Sequence, residues 1–199
     1  MNLPDLRDQA FVQNPYPTYA SARAAGPILW WAAMGMHATL DHATVSMVLR
    51  DRRFGRAIPA EQATPVPAHL RDFDAVERFS MLDLEPPDHT RLRGLVLRAF
   101  TPKRINGLRA EISAICDDLL DALPGGPVDL IPTYCQLLPV RVIARLLGVP
   151  EEKGPSLLRW STAMVAMYQA ARNSAVEERA NTAAREFATF LREYVDARR

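Results

Sequence analysis

Apolar positions recur at helical spacing along most of the chain, and short extended apolar runs are confined to a stretch near its amino terminus. Tyr16, Tyr19 and Ala20 mark a helix over residues 15–25 that Gly26 and Pro27 stop. Residues 28–31 and 36–40 read as paired strands. A helix from Asp41, its candidate amino cap, carries Val45, Val48 and Leu49 on one face. After a loop over 54–67, Phe73, Val76 and Phe79 recur every three residues in an amphipathic piece. From Pro102 to Leu123 a stripe of Ile105, Leu108, Ile112, Ile115, Leu119 and Leu123 runs until PGGP breaks it. Residues 128–131 read as a short strand, and the helix that follows carries Pro139, which either kinks it or marks its restart. Gly148 stops that helix. Pro150 and Glu151 open another through Trp160 and Met164, and Phe187, Phe190, Leu191, Tyr194 and Val195 mark a last one. The pattern predicts a mainly α protein with a small β component.

With 199 residues and 48% hydrophobic content, the chain is long enough to bury a core and belongs to one or at most two domains. A formal net charge of +1 gives no broad electrostatic attraction to nucleic acid or to an anionic membrane. The amino terminus, MNLPDLRDQAFVQNPYP, has neither a secretory apolar core nor a membrane-spanning run, so a soluble cytoplasmic protein is expected. Two cysteines, Cys116 and Cys135, are too few for a metal cluster or a disulfide framework. Cys116 lies beside an apolar stripe and reads as a small buried hydrophobe.

Residues 84–104, LEPPDHTRLRGLVLRAFTPKR, hold the most specific chemistry. Pro86 and Pro87 suit a first helical turn, where amides have no intrahelical partner, and Asp88 suits the positive end of the helix. At about 100° per residue, His89, Arg93 and Phe100 fall within roughly 40° of one another around the axis. Leu92, Leu95, Val96 and Ala99 form an adjoining apolar stripe expected to face a core, while Arg91 and Arg98 point to the opposite side. A His and an Arg one turn apart, beside a buried face, can hold two carboxylates through charge-assisted hydrogen bonds. Spacing alone equally allows pairing with Asp88 or solvent.

The wording of this segment resembles the C-helix signature of bacterial cytochrome P450 haem-thiolate monooxygenases, in which a DPP tripeptide, one residue and HTRLR precede an apolar helix and AFTP. NPYPTYASARAAGPILW and VLRDRRFGRA are similar to that family's N-terminal helix, first strand and B helix, and LLPVRVIARLLGVPEE to its E helix. The resemblance runs in order over nearly all of the chain. Two departures stand out: Glu85 replaces the usual Asp and is a poorer amino cap, and Gly94 stands where a basic residue is common.

The resemblance implies the N-terminal portion of the cytochrome P450 fold, residues 1–199 forming a single incomplete domain that stops in the G helix, before the central helix and the Cys-ligand loop. It implies haem b as cofactor, with His89 and Arg93 on its propionates and Phe100 as a further haem contact. Phe73, Phe79, Met81 and Leu82 would line the substrate pocket, where packing in an ordinary core is the alternative. Arg91, Arg98, Lys103 and Arg104 would form a docking face for a ferredoxin-like electron donor, with plain solvation as the alternative. Neither cysteine sits in the Gly-rich context of the family's iron ligand, so no metal ligand and no catalytic residue is assigned. The implied activity of the parent protein is oxygen insertion into a small apolar molecule, and the 199-residue chain alone is expected to be inactive without the axial thiolate. Two other classes compete: a noncatalytic helical module binding haem or a small molecule, and a helical nucleic-acid binder, which the near-neutral charge disfavours.

Overall fold

Aspartate side chains start two of the first three helices. The computed structural model describes residues 3–169 and 172–199, and these divide into two compact units, Met1–Arg56 and Ala57–Arg199. In the first unit Asp8 Oδ1 accepts from the amides of Ala10 and Phe11 at 2.9 and 3.3 Å, which sets up a five-residue helix, α1 (Gln9–Gln13), in a stretch whose prolines conceal it. Helix α2 (Tyr16–Ala25) ends at Gly26, whose φ of +148° favours glycine. Phe11 is buried and meets Tyr19 edge-on at 5.6 Å.

Strands β1 (Leu29–Trp31) and β2 (Met36–Ala38) pair antiparallel in the register Leu29–Ala38, Trp30–His37 and Trp31–Met36. The Trp31 indole donates to the Pro4 carbonyl at 2.8 Å and ties the amino-terminal segment to the sheet. Thr39 and Leu40, expected in the second strand, lie outside it because Asp41 already begins α3 (His42–Arg50). Asp41 Oδ1 accepts from the Thr44 amide at 2.9 Å, and that bond holds the Asp41 carboxyl below the usual carboxylate range.

Among the described residues the regular structure of the second unit is helical. A 3₁₀ turn (Ala68–Leu70) leads into α4 (Arg71–Glu77), followed by α5 (Asp88–Ala99), α6 (Pro102–Gly107) and α7 (Arg109–Asp121). Helices α8 (Leu137–Leu147), α9 (Gly154–Val165) and α10 (Ser174–Asp196) complete it. Helix α10 packs along α9 and against α4, and α8 packs on both α7 and α9. Ile115 and Leu119 of α7, Ala144 of α8, Trp160 of α9 and Ala180, Ala183 and Ala184 of α10 are buried. The alanines let α10 approach its neighbours closely, and Trp160 fills the space beside them, 6.0 Å from Phe187 and 5.5 Å from Phe190 between ring centroids.

Three expectations change. Residues 128–131 form no strand: Asp129 Oδ1 accepts from the Ile131 amide at 2.9 Å and starts a π-helical turn, Ile131–Cys135. The stripe from Pro102 to Leu123 is divided at Gly107 and Leu108, with Thr101 capping the first piece through the Arg104 amide at 3.3 Å. Pro139 marks a restart, since it occupies the first turn of α8, where its missing N–H leaves no bond unmade. The mainly helical class with one two-stranded sheet among the described residues agrees with the sequence reading. No helix among them is long and apolar enough to cross a membrane.

Candidate functional site

Helix α5 begins at Asp88, with Pro87 as the residue before it and not inside the first turn. The Glu85 carbonyl accepts from the His89 amide at 3.0 Å and the Pro87 carbonyl from the Arg91 amide at 3.0 Å. His89 is half-buried and Arg93, one turn later, is exposed. The Asp88 carboxylate lies 3.6 Å from the Arg91 guanidinium, an exposed pair at i and i+3. Asp88 is thus engaged by Arg91, and among the described residues neither His89 nor Arg93 has an ion-pair partner. Phe100 closes the helix as its carboxyl-cap residue, its amide donating to the Val96 carbonyl at 3.0 Å.

The apolar stripe of α5 departs from expectation. No residue of the helix is buried, and Leu95 and Val96 of the stripe are 52% and 37% exposed. Helix α5 forms from local signals, and of its apolar stripe Leu92 is half-buried while Leu95, Val96 and Ala99 stay open. The arrangement offers an imidazole and a guanidinium one turn apart, with an open apolar surface on the same helix. Such a donor set fits a flat apolar group that bears two carboxylates.

Arg91, Arg98 and Lys103 are exposed on α5 and α6. Arg104 is committed elsewhere: its guanidinium donates to the Leu146 carbonyl at 2.8 Å, neutralising the negative end of α8. Of the four basic residues grouped by sequence, one therefore serves the fold.

The aromatic piece after the loop divides between two clefts. Phe73 packs against the buried cluster of Leu70, Met167 and Ala180 and lines a cleft of about 540 Å³ together with Val66, Leu70, Met167 and Arg172. Phe79 is 61% exposed, carries the Arg78 guanidinium 4.9 Å from its ring centroid, and lines a second cleft of about 300 Å³ with Val76, Met164 and Tyr168. Glu77 and Tyr168 border both clefts, and the Tyr168 hydroxyl donates to the Glu77 carboxylate. Met81 and Leu82 sit in the turn beyond and line neither cleft. Leu70 and Met167 are cleft residues that periodicity around Phe73 does not single out. Glu177, at the cleft edge, has its carboxyl held below the usual range by hydrogen bonds from His69 and from Arg172.

Cys116 is half-buried on α7 and Cys135 is exposed at the end of the π-helical turn; both are free thiols. Hydrogen bonding to Cys116 raises the neighbouring Tyr134 hydroxyl above its ordinary value. Among the described residues no three His, Cys, Asp or Glu side chains gather as a metal-binding group.

No family model matches the sequence. Comparison with individual proteins is decisive. The chain is 39% identical over 168 residues to the vitamin D(3) 25-hydroxylase of Pseudonocardia autotrophica, spanning 81% of this chain and 40% of that protein. It is 36% identical over 203 residues to the cytochrome P450 monooxygenase PikC of Streptomyces venezuelae, spanning 96% and 44%. Among solved structures, P450BioI in complex with a hexadec-9Z-enoic acid ligated acyl carrier protein matches with a TM-score of 0.85 at 26% identity, over 95% of this chain and 49% of that one. CalO2 matches with a TM-score of 0.82 at 26% identity, over 100% and 50%. The chain thus spans about half the length of the relatives it matches. These likenesses and the helical architecture agree: the chain belongs to the cytochrome P450 family and represents its amino-terminal part.

Proposed function

We propose that the protein to which residues 1–199 belong is a haem-dependent monooxygenase that inserts oxygen into a small apolar molecule, and that these residues form one incomplete half of its domain. The observation that carries the reading is α5, where His89 and Arg93 stand one turn apart without ion-pair partners among the described residues, beside an uncovered apolar surface. In this reading both side chains bind the haem propionates, and Phe100 contacts the cofactor near the end of the same helix. Bound haem supplies the oxygen-activating chemistry. The chain's own contribution is to fix the cofactor's edge, exclude water through the α5 face, and shape the approach through the clefts at Phe73 and Phe79, with Met81 and Leu82 on the adjoining turn.

Exposed Arg91, Arg98 and Lys103, with Arg104 at their border, favour docking of an acidic ferredoxin-like donor, since a local basic patch on a near-neutral chain steers an acidic partner. A cytoplasmic location accords with this partner. The 199-residue chain alone is inactive in this reading, because its cysteines lie on α7 and the π-helical turn, outside any Gly-rich ligand loop.

Two measurements test the reading. The 199-residue chain, mixed with haem, reduced and exposed to carbon monoxide, is expected to lack the thiolate-type absorption band, and a band there would refute its inactivity. In a longer chain carrying the Cys-ligand loop, the double variant His89→Ala/Arg93→Ala is expected to lose haem to apomyoglobin about tenfold faster or more, in line with one or more kcal/mol for charge-assisted bonds. An unchanged transfer rate would remove the propionate assignment. Stable haem binding by the 199-residue chain without the band would favour a noncatalytic binding module.

A further inference from the structure

Helix α4 lacks a capping side chain of its own. The residue at its amino-cap position is Leu70, which is 8% exposed and belongs to the buried cluster with Met167 and Ala180. An apolar side chain cannot accept from the second and third amides of the helix, the two that an amino cap ordinarily serves. Both amides are nevertheless satisfied. Asn181, on α10, accepts from the Asp72 amide at 2.8 Å and from the Phe73 amide at 3.0 Å through one oxygen, Oδ1. Its Nδ2 donates to Asp72 Oδ2 at 3.2 Å, and the same carboxylate oxygen lies 3.6 Å from Arg185. Glu177, Asn181 and Arg185 are spaced four apart on α10, so they form one polar row facing α4 and the turn before it.

We propose that Asn181 is a positioning residue that caps α4 from α10 and so fixes where Phe73 stands in the larger cleft. The division of labour follows from the sequence: Leu70 is given to the core, and the polar function of its position is transferred to a residue more than a hundred positions later. Any displacement of α10 then carries the start of α4 with it, and the shape of the cleft follows. The consequence for ligand choice rests on the cleft reading of Phe73 given above.

The test is residue-resolved amide exchange on the full chain. Asn181→Ala is expected to accelerate exchange at Asp72 and Phe73 by about fivefold or more, the factor set by loss of a typical cap, while amides in the second half of α10 change by less than about twofold. The exchanged pair Asp72→Asn/Asn181→Asp keeps the acceptor for both amides, the side-chain bond between the two positions and the local charge, with Arg185 one turn from the new carboxylate. It is expected to restore exchange to within about twofold of the parent, and to return the Phe73 ring resonance that Asn181→Ala shifts. Unaltered exchange at Asp72 and Phe73 in Asn181→Ala would overturn the proposal, as would a uniform acceleration along α10 or failure of the exchanged pair to restore. Since no haem or substrate enters the measurement, this outcome stands apart from the haem reading.

Discussion

His69 Nε2 and Glu177 Oε2 lie 2.8 Å apart, joining the turn before α4 to the first turn of α10. Arg172 adds a second bond to the same carboxylate, 3.2 Å from Glu177 Oε1. Both contacts favour the ionised carboxyl, the His69 bond most.

A carboxyl whose folded-state value is lowered contributes stability that is present above its ordinary value, 4.5, and disappears as the pH falls through the folded value. The thermal midpoint of the parent chain is therefore expected to exceed that of Glu177→Gln above about pH 4.5, and the gap should close progressively as the solution is acidified. Midpoints that stay equally far apart down to strong acid would show that the carboxylate charge is not what matters.

Trp160 offers a second measurement. Its indole N–H donates to Glu186 Oε2 at 2.7 Å, and the residue is 7% exposed. Trp160→Ala is expected to lower unfolding stability by about 3–5 kcal/mol, the range for emptying a buried aromatic site. Arg159 also meets Glu186 at 3.0 Å, but both side chains are well exposed, so Arg159→Ala should change stability by less than about 1 kcal/mol. Urea unfolding of the three chains ranks them; an equal loss in the two variants would contradict this account of the α9–α10 seam.

The uncovered face of α5 predicts behaviour of the purified chain. Leu95 and Val96 there, and Ile105 on α6, are 52%, 37% and 43% exposed. The 199-residue chain should bind an environment-sensitive dye and self-associate with rising concentration. Replacing Leu95 and Val96 by Lys should reduce both effects without lowering the unfolding midpoint, because neither side chain is buried. A lower midpoint in that variant would mean that the face is packed in solution.

Legibility followed locality. Asp41, Gly148 and the stripe through Ile115 and Leu119 are readable because caps, stops and 3.6-residue periods act within a few positions. The α5 helix is readable as a helix and its His89–Arg93 spacing as a pair, but Leu95 and Val96 show that an apolar stripe does not by itself specify what covers it. At residues 128–131 a run of Val, Leu and Ile suits a strand, and only the local bond from the Ile131 amide to the Asp129 carboxylate turns the chain away from it. Asn181 was invisible for another reason: its partners are Asp72 and Phe73, over a hundred positions away, and a lone Asn inside a helix carries no local sign of that role. The cleft residues Leu70 and Met167 likewise meet only through tertiary packing.

The end of α8 also carries information about time. Its last carbonyls receive Arg104, 42 positions before Leu146, and Arg198, 50 positions after Gly148, while the Tyr194 hydroxyl donates to Gly148 as well. Chain closure over such separations must precede the reward. Helix α8 can therefore coil early on its own propensity but acquires its finished end only when segments from both directions have arrived. In a pulse-labelled refolding experiment, protection of the final turn of α8 should lag behind that of its centre, making this helix end a clock for completion of the second unit.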